Sequence, residues 1–591
     1  MIIAPPEIPW QVTGNHWITL PCIHPADASI HLLGVLHSGA RAAIEFAGSP
    51  DFVGGGGRAL AALTIVVNGE EHAVGAGGLA WERELGWIPS FSSRVGDLVI
   101  RGTICAPHGV NADVAGVVVS VQVDNRGSSQ SMVTLALSGG LGHRQLRVRT
   151  ARTLGDAHRV SEVDGAAVLD GADAPGYLAL AIGGDGAKVE VNESTSTFRL
   201  AIGMTVPPGE NFESAFHIAA GPERDGALAT LGVMRRRGWR SLLGATRAAL
   251  REMEPVTGVA SADRLIARSM FFAFFCAVGR ALDDAHVYVV RSRIPWNGHG
   301  ITIRDWEALM WVLPAVQLAD AGLARELLLR ICELHGYAPG GGVHYLDGSV
   351  FEAGFSLEGA CAFPIAVDAY IVQTSDDKIV EEAVLADSLY GANEDIGTRR
   401  HGQYPLYATE VNPDGTVPVH PYTAHGNAIA ALAFDILKRT LDEKTAEKVE
   451  DAAASRAALL RHFAIDAGGK QTLASSTDLA GGSTTQGEPS ASLYWLPYYD
   501  LISRDDSIYR RTSKRLDGEP AGELLTRCAR LVGPASSEAL EWLRRAPLDG
   551  GLAAELLDAD GRAVGNGGDA ALSGLMAYLS WYAVHALGAK A

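Results

Sequence analysis

Near residue 226 the period of the hydrophobic pattern changes, and that change constrains the fold more than any other feature. Before it, Val117, Val119, Val121 and Val123 interleave with Ser120, Gln122 and Asp124. Val133, Leu135 and Leu137 repeat the pattern after a turn at Asn125-Arg126-Gly127, as do Leu178, Leu180 and Ile182, then Phe198, Leu200 and Ile202. A period of two is that of a strand with one buried face. Short runs of this kind, separated by Gly, Asn, Asp and Ser, predict a large antiparallel β-sandwich of roughly a dozen strands or more over residues 1–225. Gly54 to Gly57 read as a turn within it. After residue 226 the period is helical. Residues 228–254 carry Arg235, Arg236, Arg237 and Arg240 opposite Met234, Trp239, Leu242 and Leu243. That is a linker helix whose basic side is either solvated or an anion contact. Pro255 ends it, which places a helical linker at 226–260.

From 261 to 591 the text is almost wholly helical. Helices are expected at about 262–282, 303–320, 323–335, 357–374, 378–390, 426–440, 444–464, 490–503, 521–545 and 570–588. Long glycine-rich loops alternate with short turns, at 284–302, 337–356, 392–425, 465–489 and 546–569, and long loops in a compact domain are usually functional. Helical hairpins with long loops at one end predict inner and outer helices closed into an (α/α)6 toroid, with the loops rimming one funnel. The fold class is therefore multidomain β + α, a β-sandwich followed by a toroid.

At 591 residues the chain is too long for one core. Its net charge of −19 argues against nucleic acid and against anionic membrane surfaces as partners, while leaving neutral and cationic small molecules open. The start, MIIAPPEIPW, has no basic region and no long apolar run, and the apolar run 270–278 is too short to span a bilayer. Cys22, Cys105, Cys276, Cys332, Cys361 and Cys528 are scattered, without metal-ligand spacing, and read as reduced core residues of a cytoplasmic protein. Neither a metal nor a cofactor is called for, and a homo-oligomer is compatible with the sequence.

The densest stretch is 295–369. Trp306, Leu309, Met310, Leu313 and Val316 mark one helix, stopped by Gly322, and Leu323, Leu327, Leu328, Ile331 and Leu334 mark the next. Arg304, Asp305 and Trp306 stand where a loop enters a helix. Asp305 is either the cap of that helix or a sugar contact. Trp296, Asn297, His299, Arg304 and Trp306 together offer the aromatic faces and hydrogen-bond forks of a sugar site. Glycoside hydrolysis needs a carboxylic acid and a second carboxyl group. Glu358 heads an otherwise apolar helix, where a carboxyl without a cation suits a general acid; the alternative is a favourable charge in a first helical turn. Glu555 lies between glycines in the last long loop, as a base or as an ordinary loop residue. Glu352, Glu410, Asp347, Asp558 and above all Glu488 compete, since Tyr494 and Trp495 follow Glu488. His344, His420 and His425 are either sugar contacts, metal ligands or hydrogen-bonded loop histidines.

These motifs resemble the six-hairpin glycosidases of the glycogen-debranching, amylo-α-1,6-glucosidase type. PWNGHGITIRDWEALMWVLPAVQLADAGLARELLLRI is similar to that family's PWF…GRDT…LPGLLL…GR…A…L segment. LEGACAFPIAVDAYIVQTSD puts Glu358 at the family's acid position, and AAELLDADGRAVGNGGDAALSGLMAYLSW puts Glu555 at its base position. The acid is Glu where the family has Asp, Ile303 replaces the Gly of GRDT, and Trp306 replaces its Thr, so the α-1,6-glucan substrate does not follow. The resemblance implies an exo-acting, inverting glycoside hydrolase. Glu358 would be its acid and Glu555 its base, with Trp296, Arg304, Asp305, Trp306, His344, Glu488 and Trp495 around an oligosaccharide or small glycoside. A glycoside phosphorylase on the same architecture and a non-catalytic carbohydrate-binding protein are the alternatives, with a polysaccharide lyase behind them.

Overall fold

The computed structural model describes residues 2–155, 157–171, 178–466, 468–518 and 522–590. Two antiparallel sheets fill the N-terminal part. The first has eleven strands, with Ser131–Gly140 between Ala61–Val67 and Thr197–Val206; the second has eight, with Gly116–Asn125 between Leu98–Cys105 and Asn211–Gly221. Val117, Val119, Val121 and Val123 face inwards with Val133, Leu135, Leu137, Leu200 and Ile218, so the period of two becomes one dry layer between sheets. Gly54 to Gly57 are a turn, as expected, with Gly55 and Gly57 at positive φ.

The linker is two helices, not one. Arg224–Arg237 and Trp239–Met253 meet at Gly238, whose φ of 77° is open to glycine at little cost. Leu231, Met234 and Leu242 pack on the outer face of the eight-stranded sheet. Arg235 donates to the Asp164 and Gly165 carbonyls and Arg240 pairs with Glu213, while Arg236 and Arg237 face solvent. The basic side is thus partly a clamp onto the sandwich.

From Ala260 onwards helices form a double ring. The inner members are 307–319, Leu357–Thr374, Ala424–Thr440, the turns Pro489–Ala491 and Leu493–Trp495, Leu524–Arg530 and Ala570–His585. Each packs against the next and the last against the first, so the ring closes. The inner helices are the most apolar: Leu357–Thr374 and Ala570–His585 are buried along nearly their whole length.

Several expected helices are interrupted for local reasons. Asp320, not Gly322, divides the first hairpin: its carboxylate accepts from the Gly322 and Leu323 amides and starts Ala321–His335. The 307–319 helix opens with a π-helical stretch, Glu307–Val312. The expected 444–464 helix is broken before Asp451, which caps Ala452–Phe463. The 521–545 helix splits at Gly533-Pro534 into Leu524–Arg530 and Ser536–Arg545. Residues 490–503 are not an α-helix, because Pro497 cannot donate its missing amide and Asp500 turns to a φ of 53°. The helix expected at 378–390 is Ala383–Thr398, after a short 3-10 turn.

Candidate active site

The starts of the inner helices converge on one end of the toroid, and most carry a carboxyl group: Glu307, Glu358, Glu488, Glu523 and Asp569. The sixth start carries Thr423 as cap and His425 in its first turn. Unpaired amides and aligned peptide dipoles make the start of a long helix a favourable place for negative charge. So many carboxyl groups in one ring nevertheless need partners, and the molecule supplies them unevenly.

One side is compensated. Arg291, buried on the loop after the first toroid helix, donates to both oxygens of Asp569 at 2.6–2.9 Å and to Glu307, and its guanidinium lies 4.8 Å from the Trp311 ring centre. Burial opposes its charge, but Asp569 and Glu307 outweigh that and hold the guanidinium well above its ordinary range. Beside this knot Glu555 receives Asn566 Nδ2 at 2.5 Å and lies 3.4 Å from His299 Nε2. Burial pushes the Glu555 carboxyl up, yet His299, Arg291 and Asn566 together bring it down to about 2. Asn566 is fixed in turn by Ile3: the Asn566 amide donates to the Ile3 carbonyl at 2.8 Å, and the Ile3 amide donates to Asn566 Oδ1 at 3.0 Å.

The other side is not compensated. Glu358 is wholly buried, and Oε1 lies 3.2 Å from His425 Nδ1 while Oε2 has no hydrogen-bond partner. His425 is wedged between Trp306 and Tyr499, edge-on to both rings. The nearby Glu488 carboxyl oxygens are also buried, facing the Asn412 side chain and the Val419 amide. Burial pushes Glu488 up, and the charges of Glu358 and Asp414 add to the effect. Glu523, half-buried, is pushed up to about 7 by burial and by Asp414 and Glu555. Its backbone runs antiparallel to the loop that carries Glu555, with Leu524 N donating to Glu555 O at 3.1 Å.

The residues expected at the site divide into two groups. Trp306 and Trp495 line one narrow aromatic cleft with Tyr498, Tyr499 and Tyr578. Arg304 is part-exposed above them, and Glu358, Glu488 and Glu555 stand on the ring as described. Three expectations are corrected. Asp305 does not cap a helix, and its carboxylate is turned into the fold. It is 1% exposed, its Oδ2 accepts the Gly340 amide at 2.7 Å, and Oδ1 lies 2.9 Å from His335 Nδ1 and 3.2 Å from His344 Nε2. His344 is equally buried, with Nδ1 2.9 Å from the Gly348 carbonyl. Burial opposes a charge on His344, but the Asp305 carboxylate beside it and the Gly348 carbonyl raise its affinity for the proton. His335 and His344 stack at 4.2 Å. Their ligand atoms and that of Asp305 come within 4.8 Å of one another, but both imidazoles point at the same carboxylate, as charge-assisted hydrogen bonds do. Trp296 lies outside the aromatic cleft, with Nε1 on Asp549 at 2.8 Å.

Reading the sequence for site residues passed over Arg291, Asn566, Asp414 and Glu523. Arg291 and Asp569 are 278 residues apart, and nothing local marks either. The position of Glu523 just before an apolar helix is the same signal that singled out Glu358.

No family model matches the chain, and no curated protein matches it in sequence. Solved structures do match in fold. A bacterial glucoamylase complexed with acarbose superposes with a TM-score of 0.58 at 11% identity, over 100% of this chain and 98% of that one. A putative kojibiose phosphorylase from the human microbiome gives a TM-score of 0.60 at 10% identity, over 98% of this chain and 86% of that one. At such identities the likeness is one of fold, and it runs the length of the molecule, through the β-sandwich and the (α/α)6 toroid that follows it.

Proposed function

We propose that this protein is an exo-acting, inverting glycoside hydrolase that removes a terminal sugar from an oligosaccharide or small glycoside. The observation that carries the reading is the split between carboxyl environments on one ring. Glu555 is held ionised by His299, Arg291 and Asn566, as a base that activates water must be. Glu488 is buried near Glu358, and burial together with that neighbouring charge favours its protonated form. Glu358, wholly buried with the His425 imidazole on Oε1, is the proposed acid and Glu488 its neighbouring carboxyl. Trp306 and Trp495 supply apolar faces for a sugar ring and Arg304 a hydrogen-bond fork. Asp305 and His344 act from behind, by fixing the Arg304–Trp306 turn.

Phosphorolysis would place a cationic pocket where the base stands. Here that place holds Glu555, and Arg291 is already engaged by Glu307 and Asp569. The six cysteines are buried and unpaired, in keeping with a reducing compartment such as the cytoplasm. Among the described residues no helix is long and apolar enough to cross a membrane.

The test is a screen of aryl α- and β-glycosides and short oligosaccharides, with product anomers followed by NMR. Expected is an inverted product that is lost in Glu358→Gln and Glu555→Gln and unaffected by added phosphate. Turnover that requires phosphate would replace the reading with phosphorolysis. No turnover by a folded protein would end it.

A further inference from the structure

Residues 409–421 enter and leave the ring of carboxyl groups through a narrow neck. Thr409 N donates to Pro421 O at 2.8 Å, and the Glu410 and Val411 amides both donate to Phe355 O, at 2.9 and 3.1 Å. Beyond the neck the loop folds on itself. Asn412 N reaches Thr416 O and Gly415 N reaches Asn412 O, each at 2.8 Å, and Asp414 Oδ1 accepts the Thr416 amide at 2.9 Å. The tip turns Val417 and Val419 outwards, 79% and 59% exposed.

The underside rests on the groups assigned to the sugar. Gly415, at a φ of +87°, lies flat against the Arg304 guanidinium, where a Cβ would stand 2.0 Å from Nη2. Pro413 walls a cavity of about 10 Å³ together with Arg304, Trp306, Ser356 and Gly359. The Asn412 side chain and the Val419 amide face Glu488. The aromatic cleft alongside has a volume of about 20 Å³. A single water needs about 10–15 Å³ on this measure, and small-molecule sites run to roughly 300 Å³ or more. A pyranose ring cannot share this space with the loop where it now sits.

We propose that the 412–419 loop is a lid seated on the floor of the funnel, and that a sugar reaches Arg304, Trp306 and Glu358 only when the lid lifts at its 409–421 neck. This rests on the reading of the ring as a glycosidase site, although the gate itself does not require turnover. The closed seat lowers apparent affinity by the fraction of molecules that are open, so the lid selects ligands able to hold it up.

The experiment follows the alkylation of a Glu358→Cys variant by a small neutral haloacetamide, read by mass on the peptide that carries it. The native loop is compared with one in which 412–419 are replaced by two glycines, and with Gly415→Ala, whose methyl group strains the backbone at a φ of +87° and displaces the Arg304 guanidinium from its seat. Expected is slow reaction with the native loop, a rate at least ten-fold higher with the short loop, and a several-fold rise with Gly415→Ala. Equal rates in the native and Gly415→Ala chains, or in the native and shortened ones, overturn the lid. A lid-dependent rate in a protein without hydrolytic activity would instead keep the lid and remove the glycosidase reading.

Discussion

Two groups of carboxyls stand on the same ring of helix starts and are handled in opposite ways. Glu307, Asp569 and Glu555 share Arg291, His299 and Asn566. Glu358 has His425 on one oxygen and no hydrogen-bond partner on the other, and Glu488 faces the Asn412 side chain and the Val419 amide. A buried charge is tolerated when paired and hydrogen-bonded; otherwise the group keeps its proton. Glu555 is therefore built to stay charged and Glu488 to hold a proton. A ring with both is suited to moving a proton from one side of a bound molecule to the other.

The largest effect should come from the charged side. Glu555→Gln is expected to lower kcat by about 10²- to 10⁴-fold with little change in KM, the range for loss of a general base. The residue lies on a tethered loop, so folding should survive, and near-native melting would check that. In the wild type, kcat/KM should fall on the acid side only as Glu555 protonates, towards pH about 2. An acid limb in the usual carboxylate range would break the comparison, because Glu555 would then be an ordinary exposed carboxylate.

Arg291→Met comes next, and its effect is on stability. Removing one member of a buried ionic network leaves the others uncompensated, at a cost of about 3–5 kcal/mol. Asp569 and Glu307 would both be stranded, and the closure between the first and last inner helices would loosen with them. Denaturant unfolding gives the measurement. A loss under 1 kcal/mol would mean that the knot is more hydrated than its burial implies.

How much of this was legible beforehand follows from how local each signal is. The sandwich and the order of the inner helices follow from periods of two and 3.6, which neighbouring residues carry, and Leu357–Thr374 begins and ends where its pattern does. Breaks set by Asp451, Pro497 and Gly533-Pro534 were in the text but were outweighed by the apolar periodicity around them. Glu358 and Glu488 stood out because each precedes an apolar run. Arg291 did not, because its meaning depends on an aspartate at the other end of the domain. Asp305 misled for a related reason. An aspartate before a helix usually caps it, and only His335 and His344, 30 and 39 residues on, draw it inwards.

That inner cluster gives a smaller and pH-dependent effect. The folded pKa of His344 is raised, so its contribution is complete below its unfolded value of about 6.5 and is lost as pH rises through the folded one. Asp305 is depressed despite its burial, because His344 and His335 stabilise its charge. Its contribution is present above about 3.9 and is lost as pH falls further. The contribution of the Asp305–His344 pair should therefore be greatest between about pH 4 and 6.5, while His335, whose proton affinity burial lowers, opposes it below about 6.5. His344→Ala should lose about 1.5–3 kcal/mol there, the range for a hydrogen bond to a charged group, and less at pH 9. A variant that loses the same amount at both pH values would place the proton elsewhere.

The smallest effect on stability belongs to the uncompensated pair, and it is the sharpest test of the comparison. Glu488→Gln takes a charge from a place with no cation. Since burial raises the Glu488 carboxyl, its ionisation weakens the fold as pH climbs above the unfolded value of about 4.3. The substitution should then leave stability within about 1 kcal/mol at pH 5 and improve it slightly at pH 8, the reverse of Arg291→Met. Catalysis should respond differently. Glu488 is not the proposed acid, so kcat at pH 5 should be largely kept. Destabilisation at pH 8 would mean that Glu488 is held charged by groups around it. The ring would then be compensated throughout, and the division of labour between acid and base would have to rest on Glu523, which burial and two carboxylate neighbours push up to about 7.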